Sequence, residues 1–362
     1  MKILHVINSF HAFGGAEIAL ARLINGLPEH EHKILALMQV SDDNRQLLDS
    51  ADIILPPCRM RSIAGLCSTI SWVRKVVDQE QAQLVMGWMY MANAVCSMAL
   101  GNNNTATPHI WSIHHALDDL GNESIATRCS IVACRLLKTR PAHIVYVGER
   151  IREQHERQGF SCDRASVIGN AVSSKSIALS ASSSSSRVGI LARWHRVKGW
   201  STMAASMAFV LEKNAQASFV LGGAGIAQDN DELMSLLHLH GVDMQRVQLM
   251  GQLVDTTEFY RQIDILMLGS RTEAFPIVLI EAMANGVATV TTDVGDARYI
   301  VGNNDSVVAI GDANAMAARV LYLLDNPCER QQIISAGLTR VESTFMESTQ
   351  LAAYGALFES VV

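Results

Sequence analysis

Arg271-Thr-Glu-Ala-Phe-Pro-Ile-Val-Leu-Ile-Glu-Ala-Met-Ala-Asn-Gly286 reads as a loop running into the start of a helix. Residues 265–268 before it and 287–291 after it are short apolar runs of the kind that form buried strands, so the segment predicts a strand–loop–helix–strand unit of a parallel sheet. Glu273 and Glu281 stand eight positions apart within it, one in the loop and one roughly two turns into the helix at about 1.5 Å rise per residue. Between them lie the amides of a helix N-terminus, a ready anion site, and Pro276 suits the first turn because its missing N–H would be unpaired there. A carboxylate in reach of sugar hydroxyls, amides for a pyrophosphate and a second carboxylate for a ribose describe a pocket for a nucleotide-sugar.

The same alternation extends along the chain in both directions. Strand candidates are 2–7, 33–38, 83–86, 109–113 and 144–147 in the first half, then 188–191, 218–221, 247–250, 265–268 and 287–291 in the second. Longer periodic stretches between them read as helices, the pattern of doubly wound α/β sheets. With 362 residues, two hydrophobic cores are expected. The serine run in 176–187 cannot bury apolar surface and reads as a linker. This divides the chain into a first domain, 1–175, a second, 188–345, and a last helix in 346–362.

Composition narrows the function classes. At 49% apolar and 18% charged the chain is globular, and no apolar run reaches the ~18 residues of a membrane span. The opening Lys2-Ile-Leu-His-Val-Ile7 is short, contains His5 and is followed by glycines, so it reads as a first strand and no signal peptide is expected. Seven scattered cysteines without a Cys-x-x-Cys pair indicate neither a disulfide framework nor a zinc site, which suits a reducing, cytoplasmic compartment. A net charge of −6 argues against nucleic acid as partner. Residues 1–175 hold 17 Lys/Arg against 16 Asp/Glu and the remainder 12 against 19, so a contact with an anionic surface is expected of the first half. The stretch 128–140 interleaves Arg128, Arg135 and Lys138 with apolar residues; it reads either as an ordinary helix with a charged outer face or as one resting on an anionic membrane.

Further candidates cluster at strand ends, where doubly wound sheets bind ligands. Gly14 and Gly15 follow the first strand and let backbone approach a phosphate, although a Gly-Gly there is also simply a turn. Arg193 and Lys198 flank the turn after 188–191; fixed cations there stabilise the charge growing on a leaving diphosphate, and otherwise they are solvated surface. His114 and His115 end the strand 109–113, with no carboxylate or cysteine nearby at metal-ligand spacing, whereas His30, His32, His238 and His240 read as surface. Gly222-Gly-Ala-Gly225 lacks the third glycine of a dinucleotide fingerprint and reads as a turn.

The chain resembles the retaining glycosyltransferases of family 4. The Glu, seven residues, Glu pattern carries the resemblance, with the opening stretch Met1 to Glu17, the segment from Ile190 to Gly199 with its Arg193, four residues, Lys198-Gly199 spacing, and Thr292-Asp-Val-Gly-Asp-Ala-Arg298. Departures from the family pattern stand at Asn170-Ala171, Gly148, Ala192 and Asp296. The resemblance implies the GT-B fold, two facing Rossmann-like domains with a cleft between them and a last helix crossing back to the first. It also implies the roles: Gly14 and Gly15 over the donor phosphate, His114 facing the donor sugar with His115 as a neighbouring candidate, Glu273 on the sugar and Glu281 on the ribose. Ala274, Phe275, Ile277 and Val278 would complete the donor pocket, and Arg193 and Lys198 with the helix amides would do the work of a metal. No metal and no other cofactor is expected. The partners implied are a nucleotide-sugar donor and a glycan or lipid-linked acceptor, in bacterial envelope or exopolysaccharide synthesis at the inner face of the membrane. Rival readings are another GT-B activity, such as an epimerase or phosphorylase, and a non-catalytic sugar-binding or regulatory protein.

Overall fold

The structure is a computed structural model that describes residues 1–11, 14–49, 51–56, 62–101, 107–118, 120–160, 163–173 and 186–362. They divide into two compact units, Met1–Asn170 with Ser348–Val362, and Ala171–Glu347. Most of the serine run, with Cys58 and Cys162, lies outside the described residues.

The first unit alternates β1 (Lys2–Ile7), α1 (Gly15–Gly26), β2 (Glu31–Ala36), α2 (Asp42–Arg45), β3 (Asp52–Ile54), α3 (Ile63–Glu80), β4 (Leu84–Trp88) and α4 (Met89–Leu100). It continues with β5 (His109–Ile113), α5 (Ile125–Leu137), β6 (His143–Tyr146), α6 (Glu149–Arg157) and β7 (Ala165–Val167). All seven strands are parallel, in the order β3-β2-β1-β4-β5-β6-β7. A parallel sheet covered on both faces requires strands that are apolar on both sides. β1 is buried from Ile3 to Ile7, and β4 and β5 are buried throughout.

The second unit runs β8 (Arg187–Leu191), α7 (Trp200–Lys213), β9 (Ser218–Gly222), α8 (Asp231–Leu239), β10 (Val247–Gly251), α9 (Thr257–Arg261), β11 (Ile265–Leu268) and α10 (Ile277–Ala284). Then follow β12 (Ala288–Thr292), α11 (Ala297–Val301), β13 (Val307–Val308), α12 (Ala313–Asp325) and α13 (Pro327–Thr344). Its six parallel strands are ordered β10-β9-β8-β11-β12-β13. Val188, Phe219, Ile265, Met267 and Val290 of the sheet pack with Met203, Met207 and Val320 of the helices in one core.

The last helix, α14 (Glu347–Val361), packs into the first unit. Tyr354, Leu357 and Phe358 share a core with Ile24, Trp88 and Ile168, Gln350 Nε2 donates to Gly169 O (2.6 Å), and a Cβ at Gly26 would overlap Leu351. Three boundaries differ from the sequence reading, one being that α14 starts at Glu347 and residues 346–347 go with the second unit. Residues 171–173 go with the second unit because Val172 N donates to Phe345 O and Val172 O accepts from Glu347 N, both at 2.9 Å. Arg187, placed in the linker, begins β8, its N–H donating to Asp264 Oδ2 at 3.0 Å.

Candidate active site

In the second unit the strand order reverses between β8 and β11, so the loops leaving those two strands part to opposite faces and leave a crevice at the carboxyl edge. One loop carries Arg193 and Lys198, the other Glu273. Gly199 sits at φ +68°, and a Cβ on it would overlap the Gly269 carbonyl oxygen. Only glycine allows that conformation and approach together. Arg271 N also donates to Val197 O at 2.8 Å, and with the loops so pinned Lys198 Nζ donates to Glu273 Oε1 at 2.5 Å. Ser270 Oγ donates to the same oxygen at 2.7 Å. Both donors converge on Oε1, and Glu273 Oε2 has no partner among the described residues. The ion pair is mostly buried, with Lys198 20% and Glu273 16% exposed, so loss of either partner leaves a poorly solvated charge.

A third loop braces the Glu273 loop. Thr292 Oγ1 donates to Ser270 O at 2.6 Å and Asp296 N to Ala274 O at 3.2 Å. Gly295, at φ +46°, lies so close that a Cβ would overlap the carbonyl oxygens of Glu273 and Ala274. Arg298 pairs with Asp293 at 2.8 Å and closes this brace.

Pro276 is the cap residue of α10 rather than its first-turn residue, and no side chain caps the amides at Ile277 and Val278. Glu281 therefore lies about one turn into the helix, not two. Tyr260 holds it: the phenol donates to Glu281 Oε2 (3.1 Å) and lies 3.3 Å from Val278 O. Burial, then the Glu281 carboxylate, pushes the Tyr260 phenol well above its usual range, so it stays protonated and remains a donor. Ala274 and Ile277 border this corner and Phe275 is buried. Arg193 is exposed and makes no ion pair among the described residues, while its carbonyl accepts from Trp200 Nε1 at 3.1 Å. The Gly222–Gly225 stretch is a turn, and its task is to seat the Arg193 loop: Trp194 N donates to Ala224 O at 2.7 Å, and a Cβ at Gly223 would overlap Ala192 O.

The first unit presents its candidates at its own carboxyl edge, where the order reverses between β1 and β4. Gly14 caps α1 in extended conformation, with no side chain capping the helix, and a Cβ on it would meet the Glu17 carboxylate; Gly15 has open space. His114 stacks on Trp88 (centroids 5.4 Å, 22°) and its Nε2 lies 2.8 Å from Ser112 Oγ. Burial pulls its imidazole down to about 4, so it is neutral, and its buried Nδ1 has no partner among the described residues. His115 Nε2 lies 2.9 Å from Glu123 Oε1 but out of line for a hydrogen bond.

Behind His114 runs a chain that fixes its own tautomers. His32 Nε2 donates to Leu27 O (3.0 Å), so His32 Nδ1 accepts from His5 Nε2 (3.0 Å), and His5 Nδ1 accepts from Trp88 Nε1 (3.2 Å). His32 is thus buried, at 6% exposure, contrary to the surface reading; a position on β2 beside β1 turns it into the sheet. His238 is exposed, and His30 and His240 are partly so. Sequence reasoning also missed Ser270, Tyr260, His5 and Trp88. Only Ser270 carried a local signal, the Ser-x-x-Glu spacing that marks paired cap residues. Among the described residues no group of three His, Cys, Asp or Glu is placed to hold a metal, and no helix is long and apolar enough to cross a membrane.

Two family models cover most of the chain in tandem: Glycosyltransferase Family 4 over residues 13–175 and Glycosyl transferases group 1 over residues 185–326. The chain belongs to these glycosyltransferases. Lipopolysaccharide core biosynthesis mannosyltransferase LpcC of Rhizobium leguminosarum is 27% identical over 180 residues, 48% of this chain and 51% of that protein. The chain thus matches about half the length of that relative. Anabaena HepE, solved with UDP, superposes with TM-score 0.84 at 17% identity over 99% of this chain and 100% of its own. Sucrose-phosphate synthase of Thermosynechococcus elongatus gives TM-score 0.82 at 15% identity over 100% and 99%. These structural likenesses establish the fold, GT-B, with two parallel-sheet α/β domains.

Proposed function

We propose that the glycosyltransferase moves a sugar from a nucleotide-sugar to an acceptor hydroxyl with retention of anomeric configuration. The observation that carries this reading is the switch-point cluster in the second unit, where Lys198 and Ser270 fix Glu273 and Tyr260 fixes Glu281. In this mechanism Glu281 holds the ribose, and the uncapped α10 amides and Arg193 receive the diphosphate. Lys198, held by Glu273, also supplies positive charge to the phosphate. Glu273 Oε2 meets the sugar hydroxyls, and its charge favours positive character at the anomeric carbon. The anomeric C–O bond to phosphate breaks with its electron pair on the diphosphate, the acceptor oxygen bonds to the same face, and its proton passes to the leaving phosphate oxygen. No protein nucleophile is required. Within the first unit, neutral His114 carries an Nδ1 with no partner among the described residues, an acceptor suited to a sugar hydroxyl.

Positive charge from Arg193, Lys198 and the helix amides does the work of a divalent ion in this reading, so turnover is expected to persist in EDTA. Complete loss restored by Mg²⁺ or Mn²⁺ would contradict it. The relatives' names, among them lipopolysaccharide core and capsular polysaccharide enzymes, support a glycan acceptor of the cell envelope; a lipid-linked acceptor and a site of action at the cytoplasmic face of the membrane are part of the same proposal. A thermal-shift panel of nucleotide-sugars, followed by measurement of released nucleoside diphosphate with each hit, tests the function. Stabilisation by one or more nucleotide-sugars and acceptor-dependent release are expected; a panel without any shift would overturn the reading.

A further inference from the structure

α5 packs on α4, and its outer face is apolar where the water-facing side of a packed helix is ordinarily polar. Ser130, Ile131 and Cys134 point inward, with Cys134 Sγ donating to Tyr90 O at 3.2 Å. On the opposite side Ile125 is 78% exposed, Val132 51% and Leu136 80%, with Cys129 exposed between them. Their spacing of four, three and four residues places all four within about 60° of one another on a helix, in a stripe about 16 Å long. Arg128 and Arg135 are exposed along one flank of it, and neither makes an ion pair among the described residues. α5 contains no acidic residue, whereas the next helix, α6, offsets its charges internally through Arg152 with Glu149 and Arg157 with Glu153.

We propose that this face of α5 docks on an anionic lipid bilayer surface, with Ile125, Val132 and Leu136 entering the headgroup boundary and Arg128 and Arg135 meeting lipid phosphates. Apolar side chains in a row flanked by arginine match such a surface, which offers acyl chains beneath a negative layer. A water-facing helix gains nothing from the same arrangement. The loop before α5 also joins it to the strand-end histidines, since Glu123, two residues before Ile125, lies at His115. Docking by the N-terminal end of α5 therefore brings the carboxyl edge of the first unit to the membrane, where a lipid-linked hydroxyl would arrive. The inference deepens the membrane-face placement proposed above, but its test does not depend on the transfer chemistry.

The experiment is sedimentation of the whole chain with vesicles of phosphatidylcholine alone and of phosphatidylcholine mixed with phosphatidylglycerol. Binding to the mixed vesicles, weakened by salt, is expected. The double variant R128S/R135S should lower partitioning about thirtyfold, from two basic residues lost at the surface, and I125S/L136S should lower it at least about tenfold. All four side chains are exposed, so thermal midpoints should match the parent. Absence of binding to anionic vesicles at low salt, or binding that neither variant changes, overturns the proposal. So does a stripe that instead joins two copies of the chain, seen as a dimer that I125S/L136S dissolves without vesicle binding. Loss of sugar transfer to a soluble acceptor alongside intact vesicle binding would count against the transferase reading and leave the docking face standing.

Discussion

Lys198 and Glu273 are bonded to each other at 2.5 Å, and each is the other's main source of charge compensation. Replacing Lys198 or Arg193 by Ala should lower turnover about a hundredfold or more, as expected for loss of one donor that stabilises a leaving charge. Steady-state rates within about twofold of the parent for both variants, far short of that loss, would remove them from the site. Tyr260 makes a narrower prediction. Tyr260→Phe removes one hydroxyl and leaves the ring in its buried place, so Glu281 loses a donor worth about 1.5–3 kcal/mol, typical of a bond to a charged group. The donor KM should rise about tenfold or more with kcat nearly constant. A fall in kcat at saturating donor with unchanged KM would show that Glu281 is not held for the unreacting part of the donor.

At the scale of elements, the three strands absent from the sequence reading are β3, β7 and β13. All are sheet edges of three residues or fewer, paired on one side, and none contains a fully buried residue. An edge strand needs no apolar run, so it leaves no periodic signal. The central strands were legible because a two-sided parallel sheet imposes continuous burial on them. The acidic and basic candidate residues stood out as a pattern of charges at strand ends. Their holders were not: Tyr260 and Trp88 look like any buried aromatic until the fold brings them to Glu281 and His114 from 21 and 26 positions away. Gly199 carries the element-level prediction. Gly199→Ala forces a side chain into the Gly269 carbonyl at a φ of +68°, so the Lys198 loop must move. Calorimetry should show a loss of about 1–3 kcal/mol, with turnover falling as far as in Lys198→Ala. Full activity together with parental stability would mean that the glycine approach does not set the ion pair.

Over the whole molecule, the two units are expected to differ in their response to acid. His109, His114 and His155, all in the first unit, are held by burial at about 4, and His5 and His32 are also lowered by burial. In the unfolded chain these imidazoles take up protons below a pH of about 6.5, so they contribute stability above that pH which is lost as pH falls toward the folded value of about 4. Among the described histidines of the second unit only His195 is lowered, and it is exposed. Thermal unfolding followed between those limits should therefore show the first unit's transition moving down before the second's. A single transition whose midpoint does not change across that interval would contradict the burial of these histidines. The central claim, that the second unit grips a nucleotide-sugar with Glu273 on the reacting sugar and Glu281 on the ribose, is tested most directly by donor-dependent kinetics of Glu273→Ala and Glu281→Ala. The account predicts a large fall in kcat for Glu273→Ala, and for Glu281→Ala a raised donor KM with a smaller effect on kcat. Abolished turnover at saturating donor in Glu281→Ala, with only a raised KM in Glu273→Ala, would contradict it.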